Sequence, residues 1–172
     1  MNCQELLDAA KNGNLEEVQR LVQTGIPLDA GNNNNWTPLH FAAALNGDSL
    51  VVEYLIQAGA SSNSKSVGGY TPLHLAMAKI CWIPSILECL IQAGASINDK
   101  IDAGWTPLHI AADNCALCAV KLLLENGADC TIRNDDGNSA KDLAQMMGSE
   151  EIIKILQEYE DYIVEVKDPG YC

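Results

Sequence analysis

The chain has 172 residues, 48% of them apolar, which fits one folded domain rather than a disordered segment. With 23 acidic residues against 10 Lys and Arg, a net charge of −13, it has no basic face to offer a nucleic-acid backbone. No apolar run reaches the roughly 18 residues that a membrane span needs, and the start Met1-Asn2-Cys3-Gln4-Glu5 lacks the basic and apolar regions of a signal peptide. Seven cysteines, an odd number spread along the chain, do not read as a disulfide framework. The expectation is a cytoplasmic protein, with neither nucleic acid nor membrane among its partners.

From the N-terminus, Ala9-Ala10-Lys11-Asn12-Gly13-Asn14 leads into a helical-periodic run at 15–22 that stops at Gly25. Gln4, Glu5, Asp8, Lys11, Glu16, Glu17, Gln19 and Arg20 give this first pair of helices the polar outer face that the end of a stack requires. The turn-rich stretch Ala30-Gly31-Asn32-Asn33-Asn34-Asn35 follows. Then comes Thr37-Pro38-Leu39-His40, which the chain writes again as Thr71-Pro72-Leu73-His74 and Thr106-Pro107-Leu108-His109. An eroded copy, Ser139-Ala140-Lys141-Asp142, falls at the same spacing, so the successive intervals are 34, 35 and 33 residues. A period of that size marks stacked repeats.

The four letters open a helix. Threonine accepts from the free N–H groups of a first turn, and proline suits the first helical position because its missing donor costs nothing there. Leucine begins the core face, and Ala42-Ala43-Ala44, Ala76 with Ala78, and Ala111-Ala112 let the helix pack closely on two sides. A second apolar run follows each copy, at 50–56, 86–91 and 119–124, and ends at Gly59, Gly94 and Gly127, where glycine takes the left-handed conformation that stops a helix. From each stop glycine to the next opening residue the distance is always 12, so the variation in length lies inside the helix pairs.

Three intact signatures at this period resemble the ankyrin repeat family. The resemblance covers nearly the whole chain and implies an all-α fold. It would be an ankyrin-repeat solenoid of five helix-turn-helix repeats, with short β-hairpin fingers between them. The repeats would divide one domain, 1–172, into an N-terminal cap at 1–33, then 34–67, 68–102 and 103–135, a C-terminal cap at 136–162 and a tail at 163–172. The third repeat is the longest between its helices, with Pro84 expected at the start of the second helix and Trp82 in the turn, where it is a candidate partner-binding residue or packs against the next repeat. Cys115 stands where the family has a turn glycine. In the last repeat the proline and histidine are gone, and its second helix is expected near 150–159. Residues 125–172 hold 12 of the 23 acids, which reads as a solvated end.

Catalytic chemistry has no residues to stand on. All three histidines are the signature's fourth letter, and helices packed about 8–10 Å apart hold them too far from one another to share a metal or a reaction. In the family this ring hydrogen-bonds the signature threonine. Cys115 and Cys118 form a C-x-x-C with neither further zinc ligands nor a preceding strand, and no phosphate-binding glycine loop is present. No catalytic group, metal or cofactor is expected.

What is left is surface. Trp36, Tyr70 and Trp105 each precede a signature threonine. The resemblance places this position at the base of the finger, facing a concave groove where partners dock, and the alternative is that the rings brace neighbouring fingers. It adds to that groove Asn33, Asn34, Val67, Gly68, Asp102 and Ala103 on the fingers, and Leu45, Asn46, Lys79, Asp113 and Asn114 at the first-helix ends. Asn98 occupies the place where family members can be hydroxylated, or where an asparagine ties one finger to the next. The reading is a monomeric, non-catalytic module binding a protein partner. A stand-alone enzyme inhibitor or a bacterial effector acting on a host protein is the alternative, and a thiol redox or zinc protein a distant one.

Overall fold

The computed structural model describes residues 3–46, 49–77 and 84–167. Among them the chain forms ten helices in five successive pairs: α1 (Cys3–Asn12) with α2 (Leu15–Gln23), α3 (Pro38–Phe41) with α4 (Ser49–Gln57), α5 (Pro72–Met77) with α6 (Pro84–Gln92), α7 (Pro107–Asp113) with α8 (Leu117–Glu125), and α9 (Ala140–Met146) with α10 (Glu150–Lys167). The helices stack in two layers. First helices touch first helices, α1 on α3, α3 on α5, α5 on α7 and α7 on α9, and second helices touch second helices from α2 through to α10.

Local chemistry explains each start and stop. Pro38, Pro72 and Pro107 occupy the first positions of α3, α5 and α7, and Thr37, extended at φ −80° and ψ 167°, caps α3. The second helices end as the glycines require: Gly59, Gly94 and Gly127 have φ of +100°, +78° and +89°. The next residue's N–H reaches back into the last turn, as Ala60 N to Leu55 O at 2.9 Å, Ala95 N to Leu90 O at 3.0 Å and Ala128 N to Leu123 O at 2.9 Å.

The core runs unbroken through the stack. Leu39, Leu73 and Leu108 on the first helices and Val51, Val52, Leu55, Leu87, Leu90, Val120, Leu123, Ile152 and Leu156 on the second are buried in one cluster, with Ala42, Ala111, Ala112 and Ala119 setting the close approach between layers. Truncating one of these leucines to alanine costs about 2–5 kcal/mol.

Three features depart from the expectation. Among the described residues no strand is present, and the fingers are hydrogen-bonded turns with a single isolated bridge, Arg133 to Ser139. Each finger closes on itself within five residues, as Ser66 N to Tyr70 O at 2.9 Å with Gly69 N to Ser66 O at 3.0 Å, which leaves no length for a ladder. Second, α3 does not end at Phe41 but widens into a π-helical turn, Ala42–Asn46, the kind of local bulge that takes up an extra residue in a helix. Third, α10 runs on to Lys167 rather than ending near 159, so residues 163–167 of what reads as a tail are helix.

Candidate functional site

The signature histidines are buried polar residues: His40, His74 and His109 are at most 1% exposed. In each, Nδ1 accepts the N–H of the signature threonine, at 3.1, 3.3 and 3.2 Å, and stands 2.8 Å from its hydroxyl. Nδ1 is therefore the acceptor, and Nε2 carries the proton. Nε2 donates it forward along the stack, His40 to Tyr70 O at 3.0 Å, His74 to Asp99 O at 3.0 Å and His109 to Asn138 O at 3.1 Å. Burial pushes all three rings below their ordinary pKa, His74 to about 4, so they are neutral at pH 7 and hold structure rather than carry protons.

The aromatics rest on these rings. The ring centroids of Trp36 and His40 lie 6.3 Å apart, of Tyr70 and His74 6.4 Å, and of Trp105 and His109 6.2 Å, and Trp36 also meets Phe41 at 5.1 Å. Trp36 and Trp105 are half-buried, and Tyr70 is 37% exposed. Each ring thus packs beside its own histidine, Trp36 stacked, Trp105 tilted and Tyr70 edge-on, and each residue keeps part of its surface in solvent. Ring contacts run within a unit rather than from one aromatic to the next.

The finger residues do two jobs. Their backbones link neighbours edge to edge, Val67 N to Asn34 O at 2.9 Å, Asp102 N to Gly68 O at 3.0 Å and Asp135 N to Ala103 O at 3.2 Å, while the side chains of Asn33, Asn34, Val67 and Asp102 stay exposed. A built Cβ on Gly104 (φ +75°) would lie 2.5 Å from Asp135 Oδ1, so that carboxylate packs against the backbone beside Trp105 and only glycine fits there. At the first-helix ends, Asp113 is half-buried, and Asn114 caps α7 while its Nδ2 donates to Met77 O at 2.9 Å. Leu45 and Asn46 fall in the π-helical turn. Lys79 and Trp82 lie outside the described residues.

Asn98 brackets two units: its Nδ2 donates to Gly127 O at 3.2 Å, and its Oδ1 accepts from Asp129 N at 2.8 Å. Two equivalents escaped the sequence reading. Asn63 makes the same pair of bonds, to Gly94 O at 3.0 Å and from Ser96 N at 2.7 Å, and Asp29 accepts from Ser61 N at 3.0 Å. Their spacing of 34 and 35 residues was the signal that could have found them. The eroded signature also conceals a substitute. Asp142 Oδ2 accepts from both the N–H and the hydroxyl of Ser139 at 2.8 Å, doing for Ser139 what histidine does for threonine, and pairs with Arg133 at 2.9 Å.

Among the described residues Cys3, Cys89, Cys115, Cys118 and Cys130 are free thiols, and no group of side chains that could hold a metal ion occurs there. No helix of the described chain is long and apolar enough to cross a membrane.

A family model described as Ankyrin repeats (3 copies) matches residues 6–101 and 81–168. With the two-layered stack and its capped signatures, this establishes that the chain belongs to the ankyrin repeat family, whose repeats are generally protein–protein interaction modules and typically non-catalytic. No curated protein was found to match the chain.

Proposed function

We propose that the chain is a non-catalytic, monomeric binding module of five repeats, acting in the cytoplasm, whose protein partner docks on the face formed by the fingers and first helices. One observation carries this. Three large aromatics recur at a single repeat position, each packed beside a buried, neutral histidine and each keeping part of its surface exposed. Aromatics held rigidly with a free face are the residues that dominate binding energy. The surface is open along its length, which suits a polypeptide better than a small molecule. Blocking a partner enzyme and scaffolding both follow from occupying such a face.

The test replaces Trp36, Tyr70 and Trp105 together by serine. The variant keeps its helical circular dichroism and a cooperative melt, since the core lies in the helices, but loses whatever the intact chain captures from lysate, with each ring contributing about 2 kcal/mol. Loss of folding would make the rings bracing elements, and unchanged capture would move the partner to another face.

A further inference from the structure

The docking face is not uniform along the stack. Its first fingers present Asn33, Asn34, Val67 and Gly68, and its later ones Asp102, Asp135 and Asp136, all three carboxylates exposed. None of these three takes part in an ion pair among the described residues. The cations of the same fingers are occupied: Lys65 pairs with Asp99 at 3.0 Å, Lys100 Nζ donates to Arg133 O at 3.1 Å, and Arg133 binds Asp142 and Gly137 O. Counted by finger, 26–36 and 60–70 hold one carboxylate, Asp29, and one cation, Lys65, whereas 95–105 and 128–138 hold five carboxylates against Lys100 and Arg133, so the net negative charge lies at the later end. That end also holds Trp105, with Asp135 packed against the adjoining Gly104 backbone and Asp102 on the same finger as the ring. A half-exposed indole on a finger that also carries exposed carboxylates is suited to an organic cation, by ring face and by charge together.

We propose that the partner presents a linear segment with a polarity: uncharged side chains over Trp36 and Tyr70, and one or more Arg or Lys side chains at Trp105 between Asp102 and Asp135. This rests on the docking-face reading above and gives its partner a chemical class. The basic end supplies orientation, since a segment laid in reverse would leave its cation over the uncharged fingers and the carboxylates unanswered.

The probe is a library of random linear dodecapeptides displayed on phage and panned on the intact chain. Arg and Lys are enriched among the selected peptides, toward one end. A selected peptide titrated against Asp102→Asn/Asp135→Asn binds roughly tenfold more weakly, and its affinity for the unaltered chain falls with salt. Selected peptides without basic enrichment, or with equal affinity for the double Asn variant, overturn the proposal while the docking face stands. Equal affinity for the triple serine variant shows that the docking face itself is wrong. Failure to enrich any peptide over an uncoated surface overturns the linear segment.

Discussion

Cys115 carries a residue-scale cost: with Asn35 it is one of two non-glycine residues at positive φ among the described residues, and unlike asparagine it is ill suited to that conformation. It holds φ at +54°, in the turn slot that Gly13 (φ +69°) fills in the first pair, and repeats that turn's bonds, Cys115 N to Ala112 O at 3.1 Å and Leu117 N to Cys115 O at 3.0 Å. A side chain in this conformation costs about 1–2 kcal/mol. Cys115→Gly therefore stabilises the chain by about 1 kcal/mol, less some gain in unfolded-state entropy, and a denaturant midpoint no higher than that of the parent would refute it. Asn98→Ala works in the other direction. It removes an acceptor from Asp129 N and a donor from Gly127 O between two units, and stability drops by about 1–2 kcal/mol in equilibrium unfolding.

At the scale of the element, each signature helix carries a pH dependence. The ordinary histidine pKa is 6.5 and that of folded His74 about 4, so between these values the unfolded chain binds more protons than the folded one and stability rises with pH. The contribution is complete above pH 6.5 and is lost as pH falls toward 4, with His74 alone worth about 3 kcal/mol over the full window. His40 and His109 shift in the same direction. Urea unfolding at pH 7 and pH 5 shows a fall of about 2 kcal/mol or more, and a flat profile would mean that the rings are not buried neutral. The last helix pair answers to different chemistry. Ser139 caps α9, Asp142 completes its capping box, and Lys141 pairs with Glu160 on α10; Asp142→Ala loosens the start of α9 and costs about 1 kcal/mol.

Across the whole molecule, each helix pair touches only its neighbours, so local stability follows the number of neighbours a pair has. α9 and α10 have one, and they hold the chain's densest surplus of carboxylates. Backbone amides in residues 140–163 exchange with solvent faster than those of α5 and α7, measured by mass spectrometry on the intact chain. Equal protection along the stack would show that it unfolds as a single unit.

The repeat, its period, the helix starts and stops and the central leucines were legible in the order of the residues, because they rest on local rules: a cap, a proline, a left-handed glycine and a 3.6-residue periodicity. The three aromatics could be picked out for the same reason, since they recur in register with the signature. What the neighbours contribute was not legible. The forward bonds of His40 and His109, the inter-unit bracket of Asn63 and the packing of Asp135 on Gly104 join residues some 29–33 positions apart, whereas the tie of Asn98 to the next finger was expected from the family resemblance. They exist only once two units are stacked. The part played by Asp142 was not legible for the same cause: as a letter it marks an absent histidine, whereas beside Ser139 and Arg133 it is the carboxylate that takes over its bonds. Which carboxylates face solvent with no cation to answer them was likewise decided by tertiary structure, because it placed Lys100 and Arg133 against partners of their own.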